Sequence, residues 1–161
     1  MKVYLLLGGN IGDTKSLFAQ TIKLIQTEVG DVVQKSSLYE SEPWGFEHEQ
    51  NFLNQVVIVE TMLEPINLLD TTQQIEKEMG RVRKKSQYSE RTIDVDILFY
   101  DNLVMESERL TIPHLMLHQR RFTLEPLVEL SPNFIHPKKQ KTLDELLHEC
   151  SDKLFVKRLA D

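Results

Sequence analysis

The chain has 161 residues, 40 % of them hydrophobic and 27 % charged, with a formal net charge of −6. That length suits one domain with a full hydrophobic core, the acidic balance argues against a general nucleic-acid binder, and no apolar run approaches the roughly 20 residues of a membrane-spanning helix. Cys150 stands alone, so no internal disulfide can form, and a partly buried thiol in a cytoplasmic protein is expected.

Residues 3–7 form a short apolar run closed by Gly8 and Gly9, which predicts a buried strand. Residues 10–13 read as a turn, with Asp13 and Ser16 as caps of the helix that follows. Leu17, Phe18, Thr21, Ile22, Leu24, Ile25 and Val29 recur at helical spacing, and Gly30 is a natural stop. A second strand is expected over 32–39, a loop over 40–50 around Pro43 and Gly45, and a third strand over 52–62, which is rich in β-branched residues. Pro65 opens a second helix that buries Ile66, Leu69, Ile75 and Met79 and that Gly80 ends. Residues 81–92 have no apolar periodicity and predict a mobile connection. A fourth strand follows over 93–100, and Asp101-Asn102 predicts a hairpin turn into 103–105. The last third holds Pro113, Pro126, Pro132 and Pro137, with short helices near 121–129 and 143–150.

The order β-α-β-β-α-β predicts an α+β fold. It is the ferredoxin-like split βαβ pattern, with the helices packed on one face of an antiparallel sheet. A C-terminal extension of short helices and a small hairpin completes it. No repeat or linker marks a boundary, so residues 1–161 are expected to form one domain.

The run Arg91-Thr92-Ile93-Asp94-Val95-Asp96-Ile97-Leu98 carries the strongest chemical signal. On a strand, alternate side chains share a face, so Asp94 and Asp96 point one way and Ile93, Val95 and Ile97 the other. Their Cα atoms would lie roughly 6.5–7 Å apart. That spacing suits one or two hard divalent cations, magnesium or manganese. Arg81, Arg83, Lys84 and Lys85 precede the pair, and cations beside a metal-binding carboxylate pair point to a polyphosphate substrate.

The ordered set of residues resembles the 6-hydroxymethyl-7,8-dihydropterin pyrophosphokinases of folate biosynthesis through almost the whole chain. Gly8-Gly9-Asn10 is similar to the family's G-S-N. Tyr39, Pro43, Gly45, Phe52, Leu53 and Asn54 follow its pterin-side pattern, and Glu76, Gly80, Arg81, Arg83 and Lys84 come next. Arg91-Thr92-x-Asp94-x-Asp96-Ile97-Leu98 is the most specific segment. Arg109-Leu110-Thr111-x-Pro113-His114, Arg120 and Phe122 close the set.

The resemblance implies a reaction: the pterin hydroxymethyl oxygen attacks the β-phosphorus of ATP, pyrophosphate is transferred and AMP leaves. It implies two Mg²⁺ ions on Asp94 and Asp96, and catalytic roles for those residues with Arg81 and Arg91. It places ATP against Gln73, Glu76, Arg83, Lys84, Tyr88, Ile97, Arg109, Thr111, His114 and Arg120. The pterin falls to Ser41, Glu42, Trp44, Phe52, Asn54 and Phe122. The residue types fit: Asn54 offers a donor and an acceptor, the two Phe rings offer flat apolar faces, and a neutral His114 can donate to a phosphate oxygen. His48, His118, His136 and His148 read as surface or structural. No nucleic-acid or membrane partner is implied, and a cytoplasmic monomer is expected.

The chain departs from the family's R-W-G-P-R-T loop with Gln87-Tyr88-Ser89-Glu90-Arg91-Thr92, from a common aromatic or polar residue at Leu115, and from a small residue at Arg121. These changes touch no expected metal ligand. The rival readings are a metal-dependent phosphohydrolase using the same acidic pair and a nucleic-acid-binding module on the same scaffold.

Overall fold

A computed structural model describes residues 1–10, 14–42, 51–84 and 93–159, with 81–84 described as helix backbone only. In chain order the elements are β1 (Lys2–Asn10), α1 (Thr14–Glu28), β2 (Gly30–Lys35), β3 (Tyr39–Ser41), β4 (Phe52–Thr61) and α2 (Pro65–Lys84). There follow β5 (Asp94–Tyr100), β6 (Met105–Glu106), β7 (Thr111–Ile112), α3 (Arg121–Leu130), α4 (Leu143–Glu149) and β8 (Val156–Arg158). The expected α+β architecture is present. One sheet runs β5-β1-β4-β3-β8, with β2 also pairing β4; β6 and β7 form a separate two-stranded ribbon.

β1 is an interior strand of the sheet, antiparallel to both β4 and β5. Its alternation assigns Val3, Leu5 and Leu7 to one core and Tyr4 and Leu6 to the other, so this strand is apolar on both faces. On the first face α1 and α2 contribute Leu17, Phe18, Ile25, Leu68, Ile75 and Met79. On the second, α3 and α4 contribute Leu124, Leu127, Leu143 and Leu146. The two helices of the βαββαβ order share one face, as expected, and the helices of the C-terminal extension cover the other. Phe99 is fully buried against Tyr4 and Phe134, with ring centroids 5.5 and 4.8 Å away. Removing such a ring costs about 3–5 kcal/mol.

Several boundaries differ from the sequence reading. β1 does not end at the glycines; it runs on because Gly8, Gly9 and Asn10 pair with Asn54, Leu53 and Phe52. The single strand expected over 32–39 is two. Ser36 breaks it by donating its amide to the Val56 carbonyl while its hydroxyl accepts the Val56 amide, so a side chain replaces one ladder bond. Gly30 does not merely stop α1. It opens β2 at φ 158°, where an added Cβ would collide with the Glu60 carbonyl. α2 runs through Gly80 to Lys84, so residues 81–84 are helical rather than part of a connection; 85–92 lie outside the described residues. Tyr100 and Leu103 close a turn, but the segment after it pairs with β7 and not with β5. β8 was not expected at all.

Candidate active site

The second face of the sheet is not sealed by α3. A cavity of about 340 Å³ lies there, floored by Leu6 and Gly8 of β1 and crossed by residues from four strands. Pairing sets the order. Asn54 and Asp94 flank Gly8 on one rung, and Val56 and Asp96 flank Leu6 on the rung two residues away. The glycine keeps that first rung low: a Cβ built on it would meet only the Asn54 Oδ1, at 3.8 Å.

Asp94 and Asp96 line the cavity while Ile93, Val95 and Ile97 are buried in the opposite core, as the alternation predicts. A register shift opposite Tyr4 and Leu5 then puts Leu98 and Phe99 on the same face, which ends the polar part of β5 and begins its apolar part. Both carboxylates are half-buried. Glu76 of α2 accepts the Val95 amide at 2.7 Å. Burial, and then the charges of Asp94 and Asp96, push its carboxyl up to about 7 despite that hydrogen bond. Three carboxyl groups thus gather around β5, and a cation placed among them would favour their charged forms.

Across the cavity, His114 and Arg120 complete this end. Burial, and the Arg120 charge, lower the His114 ring to about 4, so it is neutral at physiological pH. Its Nδ1 accepts the Met116 amide at 3.1 Å, which leaves the proton on Nε2 as a donor. Arg120 is half-buried. Its charge is opposed by burial and supported by Asp96, and its guanidinium sits 5.6 Å from the Phe122 ring centre.

The other end is built by β3 and β4. Ser41, Glu42, Phe52 and Asn54 line it, with Phe122 from α3. Asn54 is buried and donates its amide to Ser41 Oγ at 2.8 Å, leaving its Oδ1 toward Gly8 and the cavity. Its acceptor is presented to a ligand while its donor is engaged.

Other expected residues fall elsewhere. Gln73 and Arg109 are exposed and touch each other at 3.4 Å, Arg109 also pairing with Asp70 at 2.7 Å. Glu76 is one helical turn from Gln73 on α2, and Thr111 lies on β7. The Ile97 side chain is in the core between the sheet and α1 and α2, so a nucleotide could reach only its backbone. Trp44, Tyr88 and Arg91 lie outside the described residues, as do Asp13 and His48, and the side chains of Arg81, Arg83 and Lys84 are not described. His136 is structural as expected: it is buried, and its Nδ1 accepts the amides of Lys138 and Lys139. The floor residue Leu6 was missed, because an apolar residue in an apolar run carries no sign of a cavity.

A model of the 7,8-dihydro-6-hydroxymethylpterin-pyrophosphokinase family matches residues 4–132. Among curated proteins, the chain is 40 % identical over 153 residues to the 2-amino-4-hydroxy-6-hydroxymethyldihydropteridine pyrophosphokinase of Aquifex aeolicus, covering 95 % of this chain and 94 % of that protein. It is 42 % identical over 138 residues to the enzyme of the same name from Porphyromonas gingivalis, covering 84 % and 93 %. It is 44 % identical to the folic acid synthesis protein fol1 of Schizosaccharomyces pombe, covering 89 % of this chain but only 20 % of that protein. Among solved structures, a Plasmodium falciparum HPPK-DHPS superposes with TM-score 0.76 at 17 % identity, covering 92 % of this chain and 43 % of that one. At that identity the superposition speaks for the fold.

Proposed function

Because the chain belongs to the 7,8-dihydro-6-hydroxymethylpterin-pyrophosphokinase family, we propose that the cavity between β3, β4, β1 and β5 is where it carries out the family's reaction. The activity is ATP-dependent pyrophosphoryl transfer in folate biosynthesis. The hydroxymethyl oxygen bonds to the β-phosphorus of ATP, the bond from that phosphorus to the α-phosphate oxygen breaks, and AMP leaves. One observation carries the assignment of the site. A ring-binding end and a carboxylate end share one cavity, with Asn54, Gly8 and Asp94 side by side on one rung, roughly 10 Å from first to last by strand spacing.

The ring would lie between Phe52 and Phe122, with the Asn54 Oδ1 accepting from its amide-like edge. The hydroxymethyl group would then point toward β5. His114 Nε2–H would donate to a phosphate oxygen, and Arg120 would set its charge beside it. Gln73, Glu76, Arg109, Thr111 and the Ile97 backbone would hold the rest of the nucleotide. Arg81, Arg83, Lys84, Tyr88 and Arg91 are assigned there from the sequence. The main work is charge neutralisation and in-line positioning rather than covalent help.

The donor set fits Mg²⁺: hard carboxylate oxygens from two same-face positions of β5 that line one cavity. Among the described residues no cluster of three or more His, Cys, Asp or Glu could hold a metal alone. Asp94 and Asp96 would therefore hold two ions jointly with the substrate's phosphate oxygens. Bound there, Mg²⁺ supplies charge neutralisation and lowers the pKa of the attacking hydroxyl.

The described residues that line the cavity all come from one chain, and we expect a monomer. No helix among the described residues is long and apolar enough to cross a membrane, and we place the activity in the cytoplasm with no nucleic-acid partner. Residues 1–161 act as one domain, since α4 and β8, beyond the matched region, join the same core and sheet.

Asp94→Asn and Asp96→Asn test the assignment. Each should lower turnover by a factor of about 100 or more, since transition-state charge stabilisation of this kind is worth that much. Circular dichroism should show the fold retained. Near-parental turnover in either variant would remove β5 from the site.

A further inference from the structure

We propose that residues 152–155 are a strap that positions both walls of the ring-binding end, so that affinity for the pterin depends on it. The inference rests on the cavity assignment above. The strap lies beyond residues 4–132, the span of the family model.

The first wall is α3. Its N-cap residue, Arg120, gives no side-chain cap, and the carboxylate Oδ2 of Asp152 accepts the amide of Arg121 instead, at 3.0 Å. A carboxylate at this place satisfies an orphan donor and complements the helix dipole. It fixes the turn of chain that aims Phe122 at the cavity. The other oxygen of Asp152 accepts the Leu154 amide at 2.9 Å, which turns the chain away from α3.

The second wall is β3. Two bonds join Phe155 to Glu42, a cavity residue: the Phe155 amide donates to the Glu42 carboxylate at 3.0 Å, and the Glu42 amide donates to the Phe155 carbonyl at 3.3 Å. β8 then runs antiparallel along β3, with Val156 opposite Ser41. Ser41 is the partner of the Asn54 amide. β3 is three residues long, so its position depends on both neighbouring strands. One short stretch therefore braces Phe122 on one side and Ser41, Glu42 and Asn54 on the other.

Asp152→Ala and Phe155→Pro remove the two attachments separately, the second by deleting one backbone donor. Calorimetric titration of the full-length parent and each variant would use hydroxymethyl dihydropterin and, separately, ATP with Mg²⁺. Each variant is expected to bind the pterin about tenfold more weakly; Phe155→Pro, whose attachment runs to Glu42 and not to Arg120, should bind ATP within twofold of the parent. Asp152→Asn, which keeps an oxygen for the Arg121 amide, should restore pterin affinity to within threefold. Equal losses for both ligands in Phe155→Pro, or no loss of pterin affinity in either variant, overturns the strap. A parent that does not bind the pterin at all counts against the cavity assignment instead. If Asp152→Ala does not fold, the comparison of Phe155→Pro with the parent decides.

Discussion

Glu76 on α2 accepts the backbone amide of Val95 at 2.7 Å, and Val95 is the residue between Asp94 and Asp96. β5 is an edge of the sheet, so this amide needs an acceptor from outside it. Glu76 therefore fixes the backbone that carries both carboxylates. Glu76→Gln keeps an acceptor and should retain stability, with turnover within about tenfold of the parent. Glu76→Leu leaves a part-buried amide unpaired and should cost about 1–3 kcal/mol. Its turnover should fall further than that of Glu76→Gln. Denaturant unfolding and steady-state rates check both; indistinguishable stability of the two variants would deny the bond its role.

The same carboxyl makes stability fall with pH. Its folded-state value of about 7 lies above the ordinary 4.5, so the folded protein binds more protons between those values. Its contribution is full below 4.5 and lost as pH rises through 7. In the presence of a chelator, Glu76→Gln should show a flatter stability profile than the parent from pH 5 to 7.5. Parallel profiles would contradict the shift.

His114 has the opposite sign. Its ring is lowered from 6.5 to about 4, so its contribution is present above 6.5 and lost as pH falls through 4. Ring nitrogen shifts measured by NMR should report the neutral Nε2–H tautomer at pH 6, with protonation near pH 4. A midpoint near 6.5 would mean the ring is not held as described.

Gly8 is needed for space rather than for backbone freedom. Gly8→Ala places its methyl in ordinary contact with Asn54, and the protein should fold with nearly unchanged stability. Gly8→Leu should fill the cavity floor and weaken pterin binding by about a hundredfold or more, with ATP affected less. Titration of both ligands checks this. Full pterin affinity in Gly8→Leu would move the ring elsewhere.

The sequence was most legible where one physical rule acted alone. The period-two alternation of β5 put Asp94 and Asp96 on one face, and the helical spacing of α1 and α2 put Leu17, Ile25, Ile75 and Met79 in a core. It was least legible where tertiary partners overrode local preference. Gly8 and Gly9 stayed in β1 because two strands pair with it there, and Gly80 stayed in α2 although glycine usually closes a helix. β8 exists only because β3 offers an edge; Val156-Lys157-Arg158 carries no strand signal long enough to stand out. The pterin-end residues, with His114 and Arg120, came from the family pattern. Their convergence on one rung across Gly8 could be seen only once the register was known.

The central claim is tested most directly by measuring AMP release from ATP and Mg²⁺ with and without 6-hydroxymethyl-7,8-dihydropterin. The account predicts AMP formation only when the pterin is present, in equal amount to the pterin diphosphate. ATP breakdown at the same rate without the pterin, or release of ADP and phosphate in place of AMP, would contradict it and favour a phosphohydrolase acting through the same carboxylates.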